Sequence, residues 1–565
     1  MQIGIYPFIL FFSFYILYQN KDYKFVIKNN YKKIILNTSL FALIGALAIF
    51  VFFYFEDTIY TYDYAGHWQR SLELRQLFFE NPSLIFSKVY ESMNHSDYSH
   101  LPALFGLGLT IWNTSYGYFC LCIFIYFLLP TTVLLQIIYF KYCNKYNYLP
   151  LFVFVCFYPL YLTIFYGEID VVGIFFLLMI DMLVLIPNFK DLTYKDNILV
   201  NLYAFIAIFL RRWYLYPLVF TYIALFVKYL INYKANLFSK ESFADLLKII
   251  SSGILMLFVI LIFFMPFFKR VVFNNFSEAY SYYDRPGKLI SFINFYSPII
   301  LLISLLGFYQ LIKVKKYKES FIFIILLFCP TLMFWSIQSF EYHHYFISTI
   351  PIIFLFVIGL LYILNQYNKL IGMICLLLLI IQSIGIFTIP QPIKTFPLIS
   401  NIRKQPIRLE YKEEVIDMAL LLKSLLVNDW QSAYIASGNS TFNDSIIRNS
   451  ILPDLDMPYI DSAVLDLRDG FPKDIEYIQY IITIDPILYS DQNYQHIYDI
   501  LSNAIWHEPL ISKAYKEIYQ TEIDGLKVQL YEKVEDYTPE MKQYFYDQMI
   551  SFYPDKTDFF AYILE

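Results

Sequence analysis

The chain has 565 residues, of which 58% are hydrophobic and 16% are charged, and its mean hydropathy is +0.51. A composition this apolar excludes an ordinary water-soluble globular protein and is typical of a polytopic membrane protein. The formal net charge is −5, and no basic region of the kind that binds nucleic acid stands out.

Charge is divided unevenly along the chain. Residues 401–565 hold 28 acidic and 14 basic side chains, whereas the residues before them have a net charge of +9. All six cysteines lie in or beside apolar stretches, so we interpret them as small apolar residues and not as a metal site. The sequence therefore predicts a basic membrane domain over 1–390 and an acidic, water-soluble domain over 391–565.

About twelve apolar stretches have the length of a membrane span. They cover roughly 4–18, 34–55, 115–140, 149–166, 170–187, 198–210, 214–231, 248–268, 295–312, 319–336, 345–364 and 369–389. Lysines cluster in every second connection, and the positive-inside rule assigns those connections to the cytoplasm. The other connections and the C-terminal domain are then predicted to be extracytoplasmic.

The first predicted outer loop, about 56–114, contains two amphipathic stretches that we interpret as interfacial helices. The apolar run 101–112 behind them is short enough to re-enter the membrane without crossing it. Beyond Pro390 the composition becomes polar, and 434–437, 477–484 and 527–531 have the pattern of strands. The predicted fold is a polytopic α-helical membrane protein with a C-terminal extracytoplasmic α/β domain.

Three acidic residues of the outer connections are candidates for catalysis. Asp63 follows a span closely, where partial shielding from water can make a carboxylate a general base. Glu168 and Asp170 stand in a tight turn between two spans, where they could orient an acceptor or hold a divalent cation, although a metal site needs more oxygen ligands than this pair supplies. The alternatives are a solvated loop acid for Asp63 and a cap of the following helix for the pair, above all for Asp170.

Basic and histidine side chains of the same connections are candidates for binding a phosphate. Arg211 and Arg212 interrupt what would otherwise be one overlong apolar segment, because two arginines at mid-membrane would be costly. The full predicted set is His100, Arg211, Arg212, Arg285, Lys288, His344 and Tyr345. Contact with lipid headgroups is the alternative for cations at a membrane edge.

Four short motifs occur in order on the predicted outer side: YDYAGHW at 62–68, HLPAL at 100–104, YGEID at 166–170 and HYF at 344–346. Together they resemble motifs of the GT-C superfamily of integral membrane glycosyltransferases, in its bacterial branch related to protein O-mannosyltransferases and aminoarabinose transferases. His100 replaces the lysine that is usual in that family, and Tyr64 stands where a second acid is usual.

The resemblance implies an inverting transfer of a sugar from a polyprenyl-phosphate donor to an envelope glycan, such as a cell-wall polysaccharide, at the outer face of a bacterial plasma membrane. Asp63 would be the general base, Glu168 and Asp170 would position the substrate or the base, and the basic set would bind the donor phosphate. The implied partners are the donor, the glycan acceptor and membrane lipid, without nucleic acid. No cofactor or metal ligand is certain, and a divalent cation is possible.

Two other activities stay open at the level of the sequence. A lipid-linked-sugar flippase or other transporter would explain many spans with buried charges, and would place its functional residues at mid-membrane. A polysaccharide polymerase or ligase would also have large outer loops, and would depend more on arginine than on an early aspartate.

Overall fold

The computed structural model describes most of the chain. The described residues exclude 1–4, 97–98, 144, 188–191, 234–235, 238, 274–284, 338–339, 367–368, 391–397, 429–430, 440, 456–458, 464 and 490–493.

Seven of the described helices are long and apolar enough to cross a membrane. They are Lys21–Phe55, Tyr116–Tyr142, Arg212–Tyr233, Lys240–Phe263, Tyr317–Ile337, Tyr342–Gln366 and Leu370–Thr388. The pair Gly287–Tyr296 and Pro298–Lys313, bent by 85°, makes an eighth if it is counted as one span. The chain is therefore a polytopic helical membrane protein, and the number of about twelve spans stays a prediction.

Shorter helices account for the remaining predicted spans and for the segment 56–114, which the sequence predicts to be an outer loop. They are Ile5–Gln19, Tyr62–Glu80, Ile85–His95, Leu101–Thr110, Leu149–Cys156, Val171–Ile180 with its continuation Asp181–Leu185, Tyr194–Leu210, Met265–Phe273 and Arg285–Tyr296. The predicted span 149–166 is not one helix: after Cys156 it continues as the 3₁₀ turns Tyr158–Leu160 and Leu162–Tyr166. Pro159 cannot donate the hydrogen bond that a continuous helix needs.

The lysine-rich connection that the sequence predicts between the first two spans is helical. Its lysines lie on the 35-residue helix Lys21–Phe55, which has neither proline nor glycine before Gly45. At 1.5 Å per residue this helix is about 52 Å long. Because the hydrocarbon core is only about 30 Å thick, the lysine-rich end can project beyond it without a break in the helix.

The described residues divide into two compact units. The membrane unit comprises Met1–Phe55 and Gly66–Pro406, and the C-terminal unit comprises Glu56–Ala65 and Ile407–Glu565. The boundary differs from the predicted division at residue 390 because the segment before Ile407 bonds to membrane helices. Ser400 donates to the Asn294 carbonyl at 2.6 Å, and the Lys404 amide donates to the Ile386 carbonyl at 2.9 Å.

Two glycines allow a close contact between two helices of the membrane unit. A Cβ atom added to Gly307 would lie 1.9 Å from the Leu355 carbonyl oxygen, and one added to Gly359 would lie 1.9 Å from that of Ile303. The helices Pro298–Lys313 and Phe346–Gln366 therefore meet backbone to backbone, as small residues allow in membranes.

The C-terminal unit is built on a five-stranded mixed sheet. The strands are β1 (Ala433–Ile435), β2 (Ile460–Ser462), β3 (Tyr480–Asp485), β4 (Tyr515–Ile523) and β5 (Leu526–Lys533), in the order β2-β1-β3-β5-β4. β1 pairs in parallel with β2 and β3, whereas β5 is antiparallel to β3 and β4. The three predicted strands correspond to β1, β3 and β5.

Helices cover both faces of this sheet. They are Lys412–Leu425, Asp444–Ser450, Asp466–Asp469, His496–His507, Pro509–Ser512, Pro539–Phe552 and Thr557–Phe560. Alternate residues of β3 enter different cores, because successive strand side chains point to opposite faces. Ile481 packs with Leu501 and Phe545, whereas Ile482 packs with Val415.

The segment Glu56–Ala65 is an integral part of the C-terminal unit. The Asp57 amide donates to the Ile407 carbonyl and the Leu409 amide donates to the Asp57 carbonyl, both at 2.8 Å. Ile59 is buried in the same core as β1. Residues far apart in sequence thus form one folded body.

Candidate functional site

The centre of the candidate site is a buried ion pair in the membrane unit. Nε of Arg211 donates to Oδ1 of Asp170 at 2.7 Å, and Nη1 of Arg211 donates to Nε2 of His67 at 2.7 Å. Burial, assisted by the charge of Arg211, lowers the pKa of His67 well below its ordinary value. His67 is therefore a neutral acceptor, and the arginine charge is balanced by Asp170.

Helix breaks on two segments place this pair. The helix Tyr194–Leu210 ends at Arg211, whose backbone is extended, and the chain resumes as the 3₁₀ turn Arg212–Tyr214. Asp170 precedes the helix Val171–Ile180 but makes no side-chain cap, so the helix-cap alternative for this residue is wrong. Arg211 is only 5% exposed. Its short bond to Asp170 offsets the free-energy cost of burying the guanidinium charge.

Two glycines shape the turn that carries the acids. Gly167 has φ +68°, the left-handed conformation that glycine adopts without strain, and ends the 3₁₀ turn before Glu168. A Cβ atom at Gly173 would lie 2.0 Å from the ring of Tyr214, whose hydroxyl donates to the Asp170 carbonyl. The lack of a side chain at Gly173 therefore lets the Arg211 segment approach Asp170.

A second acid in the same turn faces the adjacent histidines. The Oε1 atom of Glu168 lies 3.2 Å from Nδ1 of His343, and Nε2 of His343 lies 3.0 Å from Nε2 of His344. The Glu341 amide donates to Nδ1 of His344 at 3.0 Å. A neutral His344 then carries its proton on Nε2 and donates to His343, which in turn donates from Nδ1 to Glu168.

Aromatic packing holds these rings. The ring of Trp213 lies 4.9 Å from the rings of both His343 and His344, and the Arg211 guanidinium lies 3.7 Å from the Trp213 ring. A planar guanidinium so placed gains a cation–π contact in addition to its ion pair. Trp213 therefore joins the arginine and the histidines into one cluster.

Three members of this cluster have the chemistry of metal ligands. Glu168, Asp170 and His343 are buried, and each offers a ligand atom within 4.8 Å of the other two. Carboxylate oxygen together with imidazole nitrogen is a common donor set for divalent transition metals. The residues present could therefore hold such an ion.

His100 is paired with a different acid of the membrane unit, Glu73. Its Nε2 lies 2.8 Å from Oε2 of Glu73, and the same oxygen lies 3.8 Å from Nζ of Lys88. The other oxygen of Glu73, Oε1, lies 2.6 Å from Nη1 of Arg70. Burial alone would raise the pKa of Glu73, but the hydrogen bond from His100 and the charges of Arg70 and Lys88 lower it to about 2. Burial lowers the pKa of His100 in spite of Glu73, so His100 is a neutral donor to a carboxylate.

The other four predicted phosphate ligands are Lys288, Tyr345, Arg212 and Arg285, and the structure describes the side chains of the first three. Lys288 is 8% exposed and donates to the Trp335 carbonyl at 2.8 Å. Tyr345 is buried between the rings of Phe295 and Phe340, at 4.4 and 4.8 Å. Arg212 is half-buried. Arg285 begins the helix Arg285–Tyr296, and its side chain lies outside the described residues.

Asp63 belongs to the C-terminal unit. It follows Tyr62, whose backbone has φ +46° and whose amide donates to the Ser445 hydroxyl at 2.8 Å. Nδ2 of Asn449 donates to the Tyr60 carbonyl at 2.7 Å. The predicted base is therefore half-buried at the first turn of Tyr62–Glu80, anchored by the helix Asp444–Ser450.

A small cavity borders the cluster at His67. Its volume is about 10 Å³, and Ser71, Pro102, Phe119 and Ile169 contribute to its wall. This is room for about one water molecule. Binding of a sugar ring in this cavity would require the surrounding side chains to move.

The structure thus brings together Glu168, Asp170, Arg211 and His344 from three distant segments. His67, His343 and Trp213 complete the cluster. Of the adjacent histidines His343 and His344, which can each hydrogen-bond a phosphate or bind a metal, the sequence analysis selected only His344. His67 lies in the YDYAGHW motif and Trp213 directly follows the selected Arg212, but the sequence analysis assigned no role to either.

Comparison with known proteins gives no family for this chain. No family model matches it, and no curated protein matches it.

Proposed function

We propose that this protein is a membrane glycosyltransferase that moves a sugar from a polyprenyl-phosphate donor to an envelope glycan at the outer face of a bacterial plasma membrane. The observation that carries the proposal is the buried cluster around the Asp170–Arg211 pair. Asp170, Arg211 and His344, which come from three connections that the sequence predicts to be outer, all belong to this cluster, and this supports the proposal.

The chemistry that we assign to the protein has two parts. Asp63 accepts the proton of an acceptor hydroxyl, which attacks the anomeric carbon while the lipid phosphate leaves with inversion. Arg211, oriented by Asp170, stabilises the developing charge on that phosphate. We assign Arg212, His100, Arg285, Lys288, His344 and Tyr345 as candidates for the remaining donor contacts.

A buried carboxylate favours transport as the second candidate function. Asp181 is 8% exposed within the apolar segment Val171–Leu185. Acidic residues inside membrane segments are characteristic of substrate and proton pathways. A flippase would move a lipid-linked sugar without breaking its bond to phosphate, and so would release no free lipid phosphate.

The decisive experiment follows polyprenyl phosphate released by the purified full chain in lipid. The substrates are a panel of polyprenyl-phosphate sugars together with an envelope glycan extract. We expect release by the wild-type protein and a loss of about 10²–10⁴-fold in Asp63→Asn, the range for a general base.

The matched control is Asp57→Asn, which changes an exposed acid of the same segment and should retain activity. No release from any donor by folded wild-type protein, with movement of the lipid-linked sugar across the bilayer, would favour the flippase. Equal activity of Asp63→Asn and wild type would remove Asp63 as the base.

A further inference from the structure

We propose that Glu168, Asp170 and His343 bind a divalent transition-metal ion, with Mn²⁺ or Zn²⁺ as the matching class. The inference rests on the proposed function for its role, in which the ion would contact the donor phosphate. Binding itself is independent of that role and can be measured without a donor.

The ligand geometry is nearly complete in the structure. The three candidate ligand atoms all lie within 4.8 Å of one another. Two ligands of one ion at about 2.2 Å can be no more than about 4.4 Å apart, so at most small side-chain rotations are needed. Three protein ligands leave coordination positions for a phosphate oxygen or water, as in catalytic metal sites.

Asp170 supplies an independent indication of a ligand. The residue is 0% exposed, and only Oδ1 is used by Arg211. Oδ2 is buried and has no hydrogen-bond partner among the described residues. A buried carboxylate oxygen without a partner is costly, and a cation would satisfy it.

The two acids of the cluster also favour an added cation. Glu168 and Asp170 each offer a carboxylate oxygen within 4.8 Å of the other. Arg211 is hydrogen-bonded to Oδ1 of Asp170, which leaves Oδ2 available to an ion. A divalent ion would offset the repulsion between the two carboxylates and could contact the same donor phosphate as Arg211.

His343 has to change its present hydrogen bonds to become a ligand. It now lies between Glu168 and His344, at 3.2 and 3.0 Å. Binding would replace the His343–Glu168 hydrogen bond by separate bonds from each residue to the ion. The contact with His344 would then reorganise, since His343 must present a lone pair to the metal.

The test measures binding of Mn²⁺ to chelator-treated, full-length protein in lipid, by loss of the electron paramagnetic resonance signal of free Mn²⁺, with Zn²⁺ as competitor. We expect one ion per chain, and affinity about tenfold or more weaker in both Glu168→Gln and His343→Gln. The matched control is Glu73→Gln, which alters a partly buried carboxylate beside another histidine and should leave affinity unchanged.

A thermal unfolding transition verifies that each variant is folded. Two ligand variants are used so that the test still works if one of them does not fold. Absence of Mn²⁺ and Zn²⁺ binding by folded wild-type protein would overturn the proposal. Equal affinity in wild type, Glu168→Gln and His343→Gln would also overturn it, since the ion would then lie elsewhere. Binding with the expected variant pattern, but no release of lipid phosphate, would support the metal site and contradict only the glycosyltransferase function.

Discussion

Nε of Arg211 lies 2.7 Å from Oδ1 of Asp170, across a separation of 41 residues in the chain. Both side chains are almost entirely buried, at 5% and 0% exposure. Burying either charge without the other would cost several kcal/mol of free energy, so the close contact between the two side chains is needed to keep both of them buried. The pair therefore fixes the segment after one helix against the start of another.

Breaking this pair should destabilise the membrane unit strongly. We expect Arg211→Gln or Asp170→Asn to lower the free energy of unfolding by about 3–5 kcal/mol, since each leaves its partner buried without its counter-charge. The double variant should lose less free energy of unfolding than the two single variants lose together, because neither charge then remains buried without its partner. Thermal unfolding in detergent measures this, and additive losses would show that the two side chains do not interact.

The glycine contact between Pro298–Lys313 and Phe346–Gln366 should tolerate no larger residue. Gly359→Leu would force a side chain against the Ile303 carbonyl, so we expect a loss of at least about 1–3 kcal/mol. Gly106→Ala is the control, because a Cβ atom there meets nothing within 4 Å. Equal melting temperatures for the two variants would contradict this packing.

Acidification should destabilise the protein through two buried histidines. The folded pKa values of His67 and His100 are below the ordinary 6.5, so the unfolded chain binds these protons more readily. The stability is therefore full above about pH 6.5 and declines as pH falls below it, by at most about 1.4 kcal/mol per pH unit for each histidine. Glu73 does not contribute in this range, because its pKa of about 2 affects stability only below about pH 4.5.

Melting temperatures between pH 7.5 and 5 provide the measurement. His100→Gln should flatten the decline while keeping a side-chain donor near Glu73, whereas His507→Gln changes an exposed histidine and serves as the control. An unchanged decline in His100→Gln would show that this residue takes up no proton in that range.

The segment that carries Asp63 should depend on its anchors in the C-terminal unit. Asn449→Ala removes the hydrogen bond to the Tyr60 carbonyl, and we expect a loss of about 1 kcal/mol. Ser424→Ala, which removes an exposed hydroxyl of the same unit, is the control. If the proposed function is correct, Asn449→Ala should also lower kcat, because Asp63 loses part of its support; full activity would mean that this anchor does not position Asp63.

Apolar composition and the length of the apolar runs were sufficient to predict a polytopic helical membrane protein. Local patterns also predicted the break at Arg211, because a membrane helix cannot carry two exposed arginines at its centre. They did not predict that the lysines of Lys21–Phe55 continue the second helix, since charge alone does not end a helix that can extend into water.

Pairing across the chain could be decided only by the tertiary structure. Asp170 has the sequence position of a helix cap, yet its side chain turns to Arg211, because a buried guanidinium needs a counter-charge more than a helix end needs a cap. Asp63 has the sequence position of a membrane loop, yet its segment folds with a sheet more than 350 residues further on. The sequence by itself determined which stretches are apolar and where charges interrupt them; burial and long-range hydrogen bonds, which no local pattern records, decided which of those charges meet.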